Sequence, residues 1–104
     1  MRVAFDCDGT LINRDGSLRD EMCRLLIAFL DSNAEVTVWS GGGKNYSETI
    51  WNRVALTYGI AENTPELARK VECKAKDSSR PDLVFDDEYV NLGHFNVRWP
   101  QKEE

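Results

Sequence analysis

Val3-Ala4-Phe5-Asp6-Cys7-Asp8-Gly9-Thr10 opens with three apolar, strand-favouring residues and then turns abruptly polar. A buried strand emerging into a loop reads this way, because its side chains can be apolar on both faces only while the backbone is paired inside a sheet. A first strand over residues 3–5 is therefore expected, with two aspartates where it ends. Two later segments repeat the pattern. Residues 35–39, Glu-Val-Thr-Val-Trp, run into Ser40-Gly41-Gly42-Gly43-Lys44, and residues 83–85, Leu-Val-Phe, stop at Asp86-Asp87-Glu88. Three strands thus end in side chains able to do chemistry.

Helical periodicity fills the gaps. Met22, Leu25, Leu26, Phe29 and Leu30 recur at helical spacing behind Ser17 and Asp20, which resemble a capping box, so a first helix runs to about residue 31. Ile50, Trp51, Val54, Ala55 and Tyr58 form the face of a second, with Asn45 as its cap and Gly59 where a helix C-terminus favours glycine. Thr64-Pro65-Glu66 predicts the start of a shorter helix, residues 71–74 a third strand and residues 94–99 a last one. Asp15-Gly16 between Ile12 and Leu18 marks a small hairpin over residues 11–17 that overhangs the first strand end. The alternation of strands and helices implies an α/β fold, with a mainly parallel central sheet between helical layers in a Rossmann-like arrangement. Nothing in residues 1–104 reads as a linker or repeat, and one domain is expected.

Composition narrows the function classes. Thirteen Lys+Arg stand against 18 Asp+Glu, a net charge of −5, which removes the positive field that broad nucleic-acid binding requires. The longest apolar run, residues 25–30, is far below the roughly 20 residues of a membrane span, and residues 1–5 lack the apolar core of a secretion signal, so a cytoplasmic protein without a membrane partner is expected. Cys7, Cys23 and Cys73 are scattered, as reduced thiols are, and His94 is the single histidine. Zinc has few ligands here. Strand alternation directs Cys7 into the packing of the sheet, and Trp39, Trp51 and Trp99 are expected in the core.

In open parallel sheets the ligand crevice lies beyond the carboxyl ends of the strands, where Asp6, Asp8, Ser40, Asp86 and Asp87 all fall. Four carboxylates at one rim repel unless a hard cation neutralises them, and Mg²⁺, which prefers oxygen ligands, suits Asp6, Asp8, Asp86 and Asp87. A strand-end aspartate can attack phosphorus, and a second one two residues away can carry the proton. Asp6 and Asp8 have that spacing. Ser40 with the amides of Gly41 and Gly42 can hold phosphoryl oxygens, and Lys74 or Lys76, ahead of the Asp86 strand, can balance the charge. Gly41-Gly42-Gly43-Lys44 is not a nucleotide-binding P-loop, because Val38 stands where its first glycine is needed and Asn45 where Ser or Thr is.

Asp6-Cys7-Asp8-Gly9-Thr10 resembles the DxDGT signature of phosphatases in the haloacid dehalogenase (HAD) superfamily. Ser40 resembles the second motif of that family, Lys74 or Lys76 the third and Asp86-Asp87 the fourth, in the family's order and over nearly the whole chain. The resemblance implies a HAD-like domain in which Asp6 is the nucleophile, Asp8 the acid/base, and Mg²⁺ is held by the Asp6 carboxylate, the Asp8 carbonyl and a fourth-motif aspartate. Lys76, nearer a loop, is preferred as the catalytic lysine, leaving Lys74 to the phosphate. The hairpin resembles the family's squiggle and flap. Many relatives carry an arginine soon after the second-motif residue; here Gly41-Gly42-Gly43-Lys44 follows instead. The short spacing between motifs leaves no room for a cap domain. Capless relatives take large phosphorylated substrates or cover the site with a second subunit, so a homo-oligomer is an expectation too. The implied activity is Mg²⁺-dependent phosphomonoester hydrolysis through an aspartyl-phosphate, and the rival is a HAD-like module that binds the metal without turnover. A receiver-type signalling domain is set aside, because there the acidic pair follows the first strand and the phosphoacceptor comes later.

Overall fold

A computed structural model describes residues 1–60, 64–70 and 80–100. The element order is β1 (Arg2–Asp6), α1 (Asp20–Asp31), β2 (Glu35–Ser40), α2 (Lys44–Tyr58), β3 (Glu66–Arg69), β4 (Leu83–Asp86) and β5 (Phe95–Arg98). The five strands form one sheet in the order β3-β2-β1-β4-β5, and every pairing is parallel. The expected α/β class and parallel sheet are present.

The order follows from handedness. Right-handed crossovers from β1 through α1 to β2, and from β2 through α2 to β3, step in one direction and place both helices on one face. That face carries Val3, Phe5, Val36, Val38 and Phe85, against which α1 packs Met22, Leu26 and Leu30, and α2 packs Ile50, Trp51 and Val54. Phe5 and Phe85 stack with centroids 4.9 Å apart, and Phe29 of α1 meets Phe5 edge-on at 6.2 Å. Each fully buried side chain of this size contributes about 1.5–3 kcal/mol, so the helical face is the main source of stability. The opposite face, Ala4, Trp39 and Val84, is covered among the described residues by Val90 and Leu92 rather than by a helix. No described helix is long and apolar enough to cross a membrane.

Several local expectations are corrected. Residues 64–66 do not start a helix. Glu66–Arg69 is instead the third strand, earlier than the expected 71–74, which lie outside the described residues. Glu66, Leu67, Ala68 and Arg69 favour helix individually, but β2 offers an unpaired edge, and pairing from Thr37↔Glu66 to Ser40↔Arg69 overrides propensity. The Ser47 hydroxyl reinforces the strand by donating to the Ala68 carbonyl at 2.9 Å. The Ser17 capping box does not form: the Ser17 hydroxyl donates to Asp15, and Arg19 is the residue before α1. Asn45 lies inside α2, whose N-cap is Gly43 at φ +103°, a conformation that favours glycine. Gly59 does close α2 in the left-handed region, at φ +66°. Trp39 and Trp51 are buried, but Trp99, beyond the last strand, is 37% exposed. Cys7 and Cys23 are buried free thiols and His94 is exposed.

Candidate metal and catalytic site

The strand order reverses between β1 and β4, with β2 and β3 following outward on one side and β5 on the other, and this switch point leaves a crevice at the carboxyl ends of β1 and β4. Asp6 ends β1 and Asp86 ends β4 on the neighbouring strand. Their side chains converge with that of Asp87: one carboxylate oxygen from each lies within 4.8 Å of the others. Asp86 is 1% exposed and Asp6 8%. Asp87 is half-buried, and three carboxylates this close, two of them this dry, repel strongly.

A lysine answers part of that repulsion. The Lys70 ammonium donates to one Asp86 oxygen and approaches Asp6 Oδ1 at 3.4 Å, while the other Asp86 oxygen accepts the Glu88 amide at 3.0 Å. Lys70 comes from the residue after β3, and its backbone N–H donates to the Ser40 carbonyl at 2.9 Å, which brings it to the same rim. One ammonium among three carboxylates leaves an excess of negative charge. Burial, followed by repulsion from Asp86, pushes the Asp6 carboxyl up to about 7, with Lys70 pulling the other way. Burial and a hydrogen bond with Asp86 also raise Asp87. Burial disfavours the Lys70 ammonium, but the hydrogen bond to Asp86 and the charges of Asp6 and Asp86 outweigh it and lift the net value. Cys7, between the two aspartates in sequence, is pushed up to about 12 by burial and by Asp6, which keeps it a thiol and not a nucleophile.

Asp8 is exposed and sits outside the tight trio, although it lines the same cavity of about 430 Å³. The Tyr46 hydroxyl, from the first turn of α2, donates to Asp8 Oδ1 at 2.5 Å, and that bond raises Tyr46 to about 12. Gly9 bends the loop at φ +80°, and a Cβ there would stand 2.1 Å from Asp87 Oδ2, so glycine lets the Asp87 carboxylate approach the loop that follows β1. Arg19 fixes the loop from behind: its buried guanidinium donates to the carbonyls of Gly9 at 3.0 Å, Trp99 at 2.9 Å and Pro100 at 2.7 Å.

Asp6, Asp8, Asp86 and Asp87 therefore share one rim. Ser40 reaches the next strand end, but its hydroxyl accepts the Gly42 amide at 3.0 Å, and Ser40, Gly41 and Gly42 do not line the cavity. Lys74 and Lys76 lie outside the described residues. Sequence reasoning missed Lys70, Tyr46 and Arg14, the last of which lines the cavity from the hairpin. Lys70 could have been found by its place: moved to residues 66–69, the third strand ends beside it, as β2 ends at Ser40 and β4 at Asp86.

The acidic trio can hold a metal ion, and its donors suit a hard one. All three are carboxylate oxygens, the nearest sulfur in sequence belongs to the protonated Cys7, and the single histidine is exposed and outside the cavity. No protein-family model matches the chain, and no match to it was found among curated proteins or solved structures. The functional reading therefore rests on the geometry of this rim.

Proposed function

We propose that the protein is a Mg²⁺-dependent phosphomonoester hydrolase of the HAD type, acting through an aspartyl-phosphate on Asp6. The observation that carries this reading is the convergence of Asp6, Asp86 and Asp87 oxygens within 4.8 Å at the sheet's switch point, with a lysine ammonium beside them. Asp6 and the Asp86-Asp87 pair would hold the ion, together with the Asp8 carbonyl that the family resemblance supplies. A bound Mg²⁺ would offset the carboxylate repulsion and the charge on the phosphoryl oxygens.

The remaining steps belong to the chain's own residues. Ionised Asp6 attacks phosphorus, the bond to the leaving oxygen breaks, and the Asp8 carboxylic acid gives that oxygen its proton. Water then attacks the phosphoryl group, Asp8 takes the water's proton, and the Asp6–phosphorus bond breaks to release orthophosphate. Tyr46 occupies one Asp8 oxygen and leaves the other for proton transfer. Lys70 takes the charge-balancing place expected for Lys74 or Lys76, since its ammonium already rests on Asp6 and Asp86.

The test is phosphate release from an aryl phosphate with Mg²⁺ and with chelator. Mg²⁺-dependent turnover that falls by at least about 10³-fold in Asp6→Asn, roughly 4 kcal/mol of barrier, is expected; turnover that survives this substitution removes Asp6 from its role. One observation favours a second reading, a metal-binding module without turnover. The Ser40 loop is closed on itself and outside the cavity, so it offers the phosphoryl group nothing as it stands. Mg²⁺ binding with no hydrolysis of any phosphomonoester would select that reading.

A further inference from the structure

The two edges of the sheet meet solvent differently. β3 forms one and carries the exposed charges of Glu66 and Arg69, a usual protection of an edge strand against another chain. β5 forms the other. Its pairing with β4 runs from Leu83↔Phe95 to Asp86↔Arg98, and the backbone N–H groups of Phe95 and Trp99 donate to the Asp82 and Asp86 carbonyls at 2.9 Å and 2.7 Å. Backbone direction alternates along a strand, so the N–H and C=O groups of Asn96 and Arg98 point away from β4, and no described strand pairs with them there.

The side chains of this edge match themselves when the strand is reversed. Phe95, Val97 and Trp99 alternate onto one face, where Val97 packs at the margin of the helical-face core while Phe95 is 72% exposed and Trp99 37%. Set antiparallel to a second copy with Val97 opposite Val97, the strand brings Phe95 against Trp99 of the second copy, and Trp99 against its Phe95, as cross-strand aromatic pairs. The same register sets Asn96 opposite Arg98 of the second copy, so each such pair exchanges both backbone bonds and no outward amide is left over. Sliding by two residues does worse in either direction. One way opposes Arg98 to Arg98 and offers Asn96 a proline, Pro100, which has no N–H; the other opposes Arg98 to His94, whose N–H already donates to the Pro81 carbonyl at 2.9 Å. The strand is also held in place beforehand: the Asn96 side-chain carbonyl accepts the Leu92 and Gly93 amides at 2.9 Å and 2.8 Å, Arg98 lies 4.4 Å from the Tyr89 ring centroid, and Arg19 holds the carbonyls of Trp99 and Pro100. Little ordering cost attaches to its pairing.

We propose that β5 is a homodimer interface, at which two copies of the chain join edge to edge, antiparallel about a twofold axis at Val97, so that one sheet runs through both. The occupant is a second copy because residues 95–99 supply both halves of every contact. So short a strand falls well below the roughly 20–30 residues per side of a standard interface, and the dimer is accordingly weak, with a dissociation constant on the order of 10–100 μM. Pairing through β5 does not depend on what the acidic rim binds or turns over.

Sedimentation of the full chain in reductant, from about 1 μM to about 500 μM, tests it, and the wild-type protein should pass from monomer towards dimer across that range. Phe95→Glu and Trp99→Lys should each weaken the dimer at least about tenfold. Position 95 already stands in solvent, so Phe95→Glu should keep the wild-type denaturation midpoint at the lowest concentration. An equimolar mixture of the two variants should recover dimer, because the introduced carboxylate of one meets the introduced ammonium of the other while the second Phe95–Trp99 pair stays intact. That recovery is specific to this register. Arg98→Pro, which removes an outward N–H and no bond to β4, should also weaken the dimer, and it decides the matter if Trp99→Lys does not fold. A wild-type protein still monomeric at about 500 μM, a dimer as tight in Phe95→Glu and Arg98→Pro as in the wild type, or a mixture of folded variants no more dimeric than its components overturns the proposal.

Discussion

The two rims of the sheet handle charge in opposite ways. At the amino rim lies the larger cavity, about 660 Å³, where Arg2 faces Glu35 at 3.9 Å with side chains 44% and 80% exposed, and the Arg2 amide donates to Asp82 at 2.8 Å. At the carboxyl rim the cavity is smaller, about 430 Å³, but Asp6 and Asp86 are 8% and 1% exposed and share one lysine. Water screens the first set, and the fold must compensate the second. Cavity size and unbalanced buried charge thus point to opposite ends of the molecule, and the charge points to the end that the topology also favours.

The sharpest way to expose this contrast is to follow stability against pH without metal. The Asp6 carboxyl, lifted mainly by burial from 3.8 to about 7, stays protonated in the folded protein over a range where the unfolded chain has already lost its proton. Its contribution is full below pH 3.8 and is lost as the pH rises through 7, a swing of at most about 4 kcal/mol. Denaturant midpoints between pH 4 and 8 should therefore fall more steeply in the wild-type protein than in Asp6→Asn, and added Mg²⁺ should recover the loss at the upper end. Parallel curves for the two proteins would place Asp6 in an environment like that of the amino rim.

A smaller effect separates the two basic residues. Lys70→Met leaves Asp86 buried without its ammonium and should cost about 2–3 kcal/mol at pH 8 in chelator, below the full penalty for a broken buried pair because Lys70 is itself partly exposed. Arg2→Met at the other rim should cost less than about 0.5 kcal/mol. Chemical denaturation of both variants checks the pair, and equal losses would erase the distinction between the rims.

Much of this was legible in the chain because β1, β2 and β4 are apolar or strand-favouring runs that stop at polar residues, a local signal, and β5 belongs to a run that ends at Pro100. Asp6, Asp8, Asp86 and Asp87 could be assigned to one rim for the same reason. The third strand could not, because Glu66-Leu67-Ala68-Arg69 carries no strand signal of its own and takes its shape from the edge of β2. Lys70 was hidden by that displacement. Ser40 shows a subtler limit: its strand-end position was readable, but its hydroxyl bond to the Gly42 amide depends on how the glycine turn closes. Arg14 and Tyr46 became visible only when the hairpin and α2 were folded over the loop that follows β1.

The measurement closest to the central claim is calorimetric titration of Mg²⁺ into the wild-type protein and into Asp6→Asn and Asp86→Asn. A single ion bound per chain, with affinity falling at least about tenfold in each variant, is the predicted result. Binding that is absent from the wild-type protein, or unchanged in both variants, would contradict a cation site built from these carboxylates.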